Sequence, residues 1–87
     1  MNSHEVDSAV RTARADLAQR LGLDPDEIAV ERVEAVDWPD ASLGCPEPGM
    51  VYAQVITPGY RITLRHGQRT YVYHATATRA ILCPEQR

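Results

Sequence analysis

"YRITLRHGQRTYVYHA", residues 60–75, decides the fold. Its first half alternates: Tyr60, Ile62 and Leu64 point one way and Arg61, Thr63 and Arg65 the other, the two-residue period of a strand with one buried and one wet face. "GQ" is short enough for a hairpin turn, and "RTYVYHA" (69–75) supplies the returning strand. Outward from this pair, "MVYAQVI" (50–56) precedes it across "TPG" and "RAILC" (79–83) follows it across "TAT". Both read as further strands of one antiparallel succession. Before them, "IAVERVEAVDW" (28–38) alternates in broken phase, with Ile28 and Val30 set against Val33 before Val36 and Trp38. A bulge between Glu31 and Val33 reconciles the phases.

The first part of the chain has a different period. Val6, Val10, Ala13, Leu17 and Leu21 lie on one helical face, Glu5 sits in the first turn, and Gly22 is the expected left-handed stop. "DPDE" (24–27) then places an Asp cap before a Pro, enough for one further turn. These elements predict an α+β fold: one N-terminal helix packed on a curved antiparallel sheet of four to five strands, a single domain over 1–87. A chain of 87 residues buries only about 60% of its unfolded surface, so a covalent staple would add materially to its stability.

Charge is divided unevenly. Residues 1–48 hold four arginines and eleven acids, net −7, and residues 49–87 five arginines and one acid, net +4, which together give the net charge of −3. The two halves are expected to attract each other within the fold. Arg61, Arg65 and Arg69 with Tyr71 and Tyr73 could form a basic aromatic sheet face, but a pI near 5.5 argues for a solvated face and no nucleic-acid partner. No run approaches the length of a membrane span, and "MNSHEVDSAV" has neither the basic nor the apolar segment of a leader, so no membrane partner is expected.

The loop "WPDASLGCPEPG" (38–49) concentrates a tryptophan, a cysteine, three prolines and two glycines. Its Cys45 and the distant Cys83 each precede a proline. Bonded, they would pin the loop to the last strand and stabilise the fold by about 3 to 4 kcal/mol; unbonded, they are two buried thiols in a reducing compartment. The bond is favoured; the location is left open, secreted or cell-surface if the bond forms and cytoplasmic otherwise. A nucleophilic set of Cys45, His74 and Asp37 or Asp40 can be written, but nothing orders nucleophile against base, and no enzyme is expected. His4, His66 and His74 have no ligand spacing, so neither metal nor cofactor is expected. Trp38 beside Pro39 is a candidate anchor for a partner, set against burial as the loop's own core.

Two resemblances add to this. "WPDASLGCPEPGMVYAQVITPGYRITL" with "YVYH" and a terminal "LC" is similar to a family of small uncharacterised bacterial domains, often actinobacterial or lipoprotein-borne. More distantly, "QVITPGYRITLRHGQRTYVYHA" resembles the cystatin pattern, in which a Gln-Val-x-x-Gly hairpin leads into a Tyr-bearing strand pair; the peptidase-associated PepSY domains are similar in look. The cystatin likeness implies a sheet wrapped on one helix and a hairpin, Gln54, Val55, Pro58 and Gly59 here, that wedges into a peptidase cleft. Combined with Trp38 and Pro39, it implies a non-enzymatic protein-binding module whose partner is a protein or peptide, a peptidase in its most concrete form. A structural accessory domain with no site of its own is the alternative. An unpaired edge strand is also a candidate for homodimerisation.

Overall fold

The alternation of Tyr60–Leu64 lies in strand β2 (Thr57–His66), which turns at Gly67 (φ +62°) into β3 (Arg69–Ala75). The structure, a computed structural model, describes residues 3–83. Helix α1 (Ser3–Leu21) is followed by a 3-10 turn (Pro25–Glu27), β1 (Ala29–Trp38), β2, β3 and β4 (Ala80–Leu82), and the four strands form one antiparallel sheet in the order β1-β2-β3-β4. Neighbours in sequence are neighbours in the sheet throughout, so every connection is local except the excursion from Trp38 to Thr57.

Register assigns the faces. Tyr60, Ile62 and Leu64 stand opposite Ala75, Tyr73 and Tyr71, and all six are buried under α1. The helix meets them with Ala9, Ala13 and Leu17, wholly buried one turn apart, flanked by Val6 and Val10. Small side chains on the helix let it approach a sheet face built of tyrosines and leucines. Leu21 departs from the expected stripe at 37% exposure. It is the last helical residue; the chain reverses directly after it at Gly22 (φ +69°), with the Leu23 N–H donating to the Ala18 carbonyl at 2.9 Å. The expected turn at "DPDE" is present: the Asp24 carboxylate accepts from the Asp26 N–H and the Glu27 carboxylate from the Asp24 N–H, each at 2.9 Å.

The bulge in β1 falls at Glu31, between the pairs Val30↔Leu64 and Arg32↔Thr63. It keeps Val33 on the helix side, where it packs against the core, while Glu34, Val36 and Trp38 alternate onto the other face. The broken phase therefore serves two apolar surfaces rather than one. On this outer face β1 acids meet β2 arginines, Arg61 to Glu34 and Arg65 to Glu31, each at 4.0 Å. Tyr71 and Tyr73 lie under the helix, so the basic aromatic face does not assemble: Arg61 and Arg65 are on the opposite side of the sheet from the tyrosines, and Arg69 alone shares their side, at the exposed start of β3.

Two expectations are corrected here. Residues 50–56 form no strand, and "TPG" is no turn: Thr57, Pro58 and Gly59 are the first residues of β2, paired with Trp38, Asp37 and Val36. Because β1 ends at Trp38 and Trp38 already faces Thr57, anything before Thr57 runs past the end of the ladder. Pro58 is tolerated because the ladder to β3 begins only at Tyr60↔Ala75, so its missing N–H interrupts no pairing on that side. Among the described residues the sheet has four strands, and residues 54–59 form no hairpin of the kind the cystatin resemblance implies.

Tyr73 ties the two layers together. Its hydroxyl donates to Asp16 Oδ2 (2.6 Å), which also accepts from Arg20 Nε (2.7 Å). Burial first, and then the hydrogen bond to the Asp16 carboxylate, hold the phenol neutral far above its ordinary range. In the unfolded chain a tyrosine ionises near pH ~10, so above that pH the unfolded state holds fewer protons than the folded one and stability falls by up to about 1.4 kcal/mol per pH unit. Tyr73→Phe is expected to lower stability at neutral pH by about 1–2 kcal/mol and to flatten the alkaline decline. Urea midpoints from neutral pH to about pH 11 check both; an unchanged alkaline slope would remove Tyr73 as its source.

Candidate functional site

The outer face of the sheet is covered at one end by the loop 39–56, and Trp38 is where the two meet. Its indole lies across Gly59, donates Nε1–H to the Ala75 carbonyl (3.2 Å), and stacks on the His74 imidazole with centroids 4.2 Å apart and planes 20° from parallel. Arg61 caps the other end of this assembly, its guanidinium carbon 5.8 Å from the indole centroid. At Gly59 a Cβ would collide with the Ala75 carbonyl oxygen and the indole. The backbone there must be bare for the tryptophan to lie down.

From Trp38 the loop folds back over this surface. Asp40 makes the first turn, its carboxylate accepting from the Ser42 N–H (2.9 Å) and the Ser42 hydroxyl (2.5 Å); those two bonds, the hydroxyl's first, hold its pKa below the usual carboxylate range. Leu43 then inserts, wholly buried, with a left-handed backbone (φ 57°), and Gly44 follows in the same conformation. This brings the Leu43 carbonyl to 2.7 Å from His74 Nδ1. A carbonyl only accepts, so Nδ1 carries the proton and donates it. Cys45, buried, reaches Cys83 at the end of β4 and forms the disulfide, with Cys45 Sγ 3.0 Å from the same Nδ1.

Trp38, Leu43, Cys45 and Cys83 thus make a second small core, with His74 as its polar centre. The Cys45 and His74 halves of the nucleophilic set do come together, but the sulfur is bonded to Cys83, Asp40 is engaged by Ser42, and Asp37 alternates to the other face of β1 beside Glu5 and Tyr60. His74 Nδ1 meets the Leu43 carbonyl and Cys45 Sγ.

The expected binding residues divide into two groups. Trp38, at 3% exposure, and Gly59 are buried and belong to the loop's own support, whereas Pro39, Gln54, Val55 and Pro58 are exposed. Past Cys45 the loop changes character. It turns at Gly49 (φ 81°), is tethered by the Ala41 N–H to the Ala53 carbonyl (2.9 Å) and by the Glu47 N–H to the Tyr52 hydroxyl (3.1 Å), and exposes Met50 (59%), Val51 (95%), Val55 (61%) and Ile56 (69%). Met50, Val51 and Ile56 are the exposed residues that sequence reasoning assigned to a strand; their apolar run is the signal a strand and an exposed binding segment share.

Gly59→Ala is expected to destabilise the protein by about 2 kcal/mol or more, with the tryptophan emission shifting to the red as the indole is displaced. Chemical denaturation monitored at Trp38 measures both. A variant as stable as the parent would show that the indole does not depend on the bare backbone.

No curated protein and no solved structure matches this chain. A family model described as "Domain of unknown function (DUF8738)" matches residues 10–83, a span that runs from the first turns of α1 to Cys83, and the chain belongs to that family.

Proposed function

We propose that this domain is a non-enzymatic protein-binding module and that the segment 50–56 is its binding element. One observation carries the reading: four large apolar side chains, Met50, Val51, Val55 and Ile56, stand exposed in a single stretch that pairs with no strand. A small protein that has few large apolar residues to fill its core gains nothing in stability by leaving these in water. Both ends of the stretch are fixed, by the disulfide at Cys45 on one side and by the β1–β2 ladder at Thr57 on the other. A segment restrained in this way loses less conformational entropy on binding than a free peptide does.

The partner that suits it is a protein with an apolar cleft or an open sheet edge, since the segment offers exposed apolar side chains on a backbone that joins no ladder of the sheet. A peptidase cleft is the most concrete case. This moves the proposed contact from Trp38 and Gly59 to Met50–Ile56, which includes Gln54 and Val55, with Pro39 and Pro58 outside it.

Burying a valine or isoleucine is worth about 2 kcal/mol, so Val51→Asp and Ile56→Asp should each weaken a complex roughly thirtyfold without changing the thermal midpoint. Titration against cysteine and serine peptidases is expected to give stoichiometric inhibition of at least one of them that both changes relieve. For partners outside that class, protein captured by the parent chain should be lost with the double variant and retained by Arg11→Ala on the helix. A captured partner that the double variant holds equally well would overturn the assignment, and no block of any peptidase removes the inhibitory form.

A further inference from the structure

Cys45, Cys83 and His74 lie far apart in the sequence, yet the fold brings Sγ, Sγ and an imidazole nitrogen within 4.8 Å of one another. We propose that these three residues form a metal site when the disulfide is reduced, binding one zinc-like divalent cation through two thiolates and His74 Nδ1, so that the loop stays pinned to the sheet with or without the S–S bond. This is independent of what the segment 50–56 binds.

The donor set suits the chemistry. Two cysteine sulfurs and one imidazole nitrogen are ligands for zinc, with metal–sulfur bonds of about 2.3 Å and metal–nitrogen bonds of about 2.0–2.1 Å, which put tetrahedral donors roughly 3.4–3.8 Å apart. Cys45 Sγ and His74 Nδ1 are already 3.0 Å apart, and the two cysteine Cα atoms are separated by 5.4 Å, so the sulfurs can part to that spacing by side-chain rotation. The surroundings are prepared as well. Both cysteines are buried, the indole of Trp38 fixes the imidazole plane by stacking, and Cys83 is held next to β4, which pairs with the strand that carries His74.

Two steps are involved, and each balances. A dithiol or phosphine reductant transfers two electrons to the Cys45–Cys83 bond, which takes up two protons and gives two thiols. The cation then displaces both thiol protons, and the proton on Nδ1 moves to Nε2 by tautomerisation. The Leu43 carbonyl loses its donor in that step. A water would complete the fourth position, so the site is an open three-ligand one and is expected to bind more weakly than a closed four-cysteine site. A disulfide serves an oxidising compartment and a metal a reducing one, and the same three side chains supply either.

The test uses the full chain, reduced with a phosphine, desalted without oxygen, and titrated with Co²⁺ and then Zn²⁺. One equivalent of Co²⁺ per chain with a thiolate-to-cobalt charge-transfer band, displaced by sub-micromolar Zn²⁺, is the expected result; the oxidised protein should give no such band. His74→Asn is expected to weaken Zn²⁺ binding tenfold or more, since removing a ligand costs at least as much as removing an outer-shell partner of one. Because that change also removes the Trp38 stack, the His74 ligand is read independently in the parent chain from the ¹⁵N shift of Nδ1 on adding Zn²⁺. No stoichiometric uptake by the reduced protein, uptake undiminished in Cys45→Ser/Cys83→Ser, or an Nδ1 shift that does not move would each overturn the proposal.

Discussion

The pairing of Ile62 with Tyr73 is the constraint on which the remaining structure rests. It places three alternate residues of β2 and three of β3 on one side, and a slip of a single residue would turn the three of one strand toward water and bring His74 of β3, or Arg61 and Arg65 of β2, under the helix. Once that register is set, α1 has a surface to cover and only a stripe of small residues is needed to cover it. The hydroxyl of Tyr73, reaching Asp16 through the edge of this packing, then fixes the helix along its axis, since a shift of one turn would leave a buried phenol without an acceptor.

The same register creates the second problem that the sequence has to solve. A strand that buries one set of alternate positions presents the other, and on the outer face of β3 that set includes His74, with Trp38 of β1 close beside it. Neither side chain is suited to open water as a pair with Leu43 and two sulfurs nearby, and the chain between β1 and β2 is long enough to return and cover them. Gly59 allows that return by removing the one side chain that would hold the indole away from the sheet. The outer cluster is small, and its cohesion comes from a stack, two hydrogen bonds to backbone carbonyls and one covalent bond more than from apolar area.

What was legible in the sequence follows from the range of the interactions that decide each element. The helix, the "DPDE" turn, the bulge at Glu31 and the β2–β3 hairpin are set by neighbours within a few residues, and spacing alone reveals them. Residues 50–56 have the valines and isoleucine of a strand, but whether they pair depends on where β1 runs out, which is settled by the match of Trp38 to Thr57. Proline and glycine at 58 and 59 suggest a turn when read locally. In the folded chain one stands where no second ladder needs its N–H, and the other where an indole needs its missing side chain. The role of His74 as the polar centre of the outer cluster had no local signal, because its partners Cys45, Leu43 and Trp38 lie 29, 31 and 36 positions away, with its neighbour Ala75 receiving the indole N–H across 37.

The position of the cross-link also has a topological consequence. Cys45 and Cys83 close a covalent ring that contains the whole exposed segment together with β2, β3 and β4. Backbone cleavage anywhere between Met50 and Ile56 therefore opens the ring without dividing the molecule. The piece bearing α1 and β1 remains joined through sulfur to the piece bearing the other three strands, and both remain zipped along the β1–β2 ladder. A nicked chain of this kind differs from the intact one by a single added water, and it can close again without its ends having diffused apart.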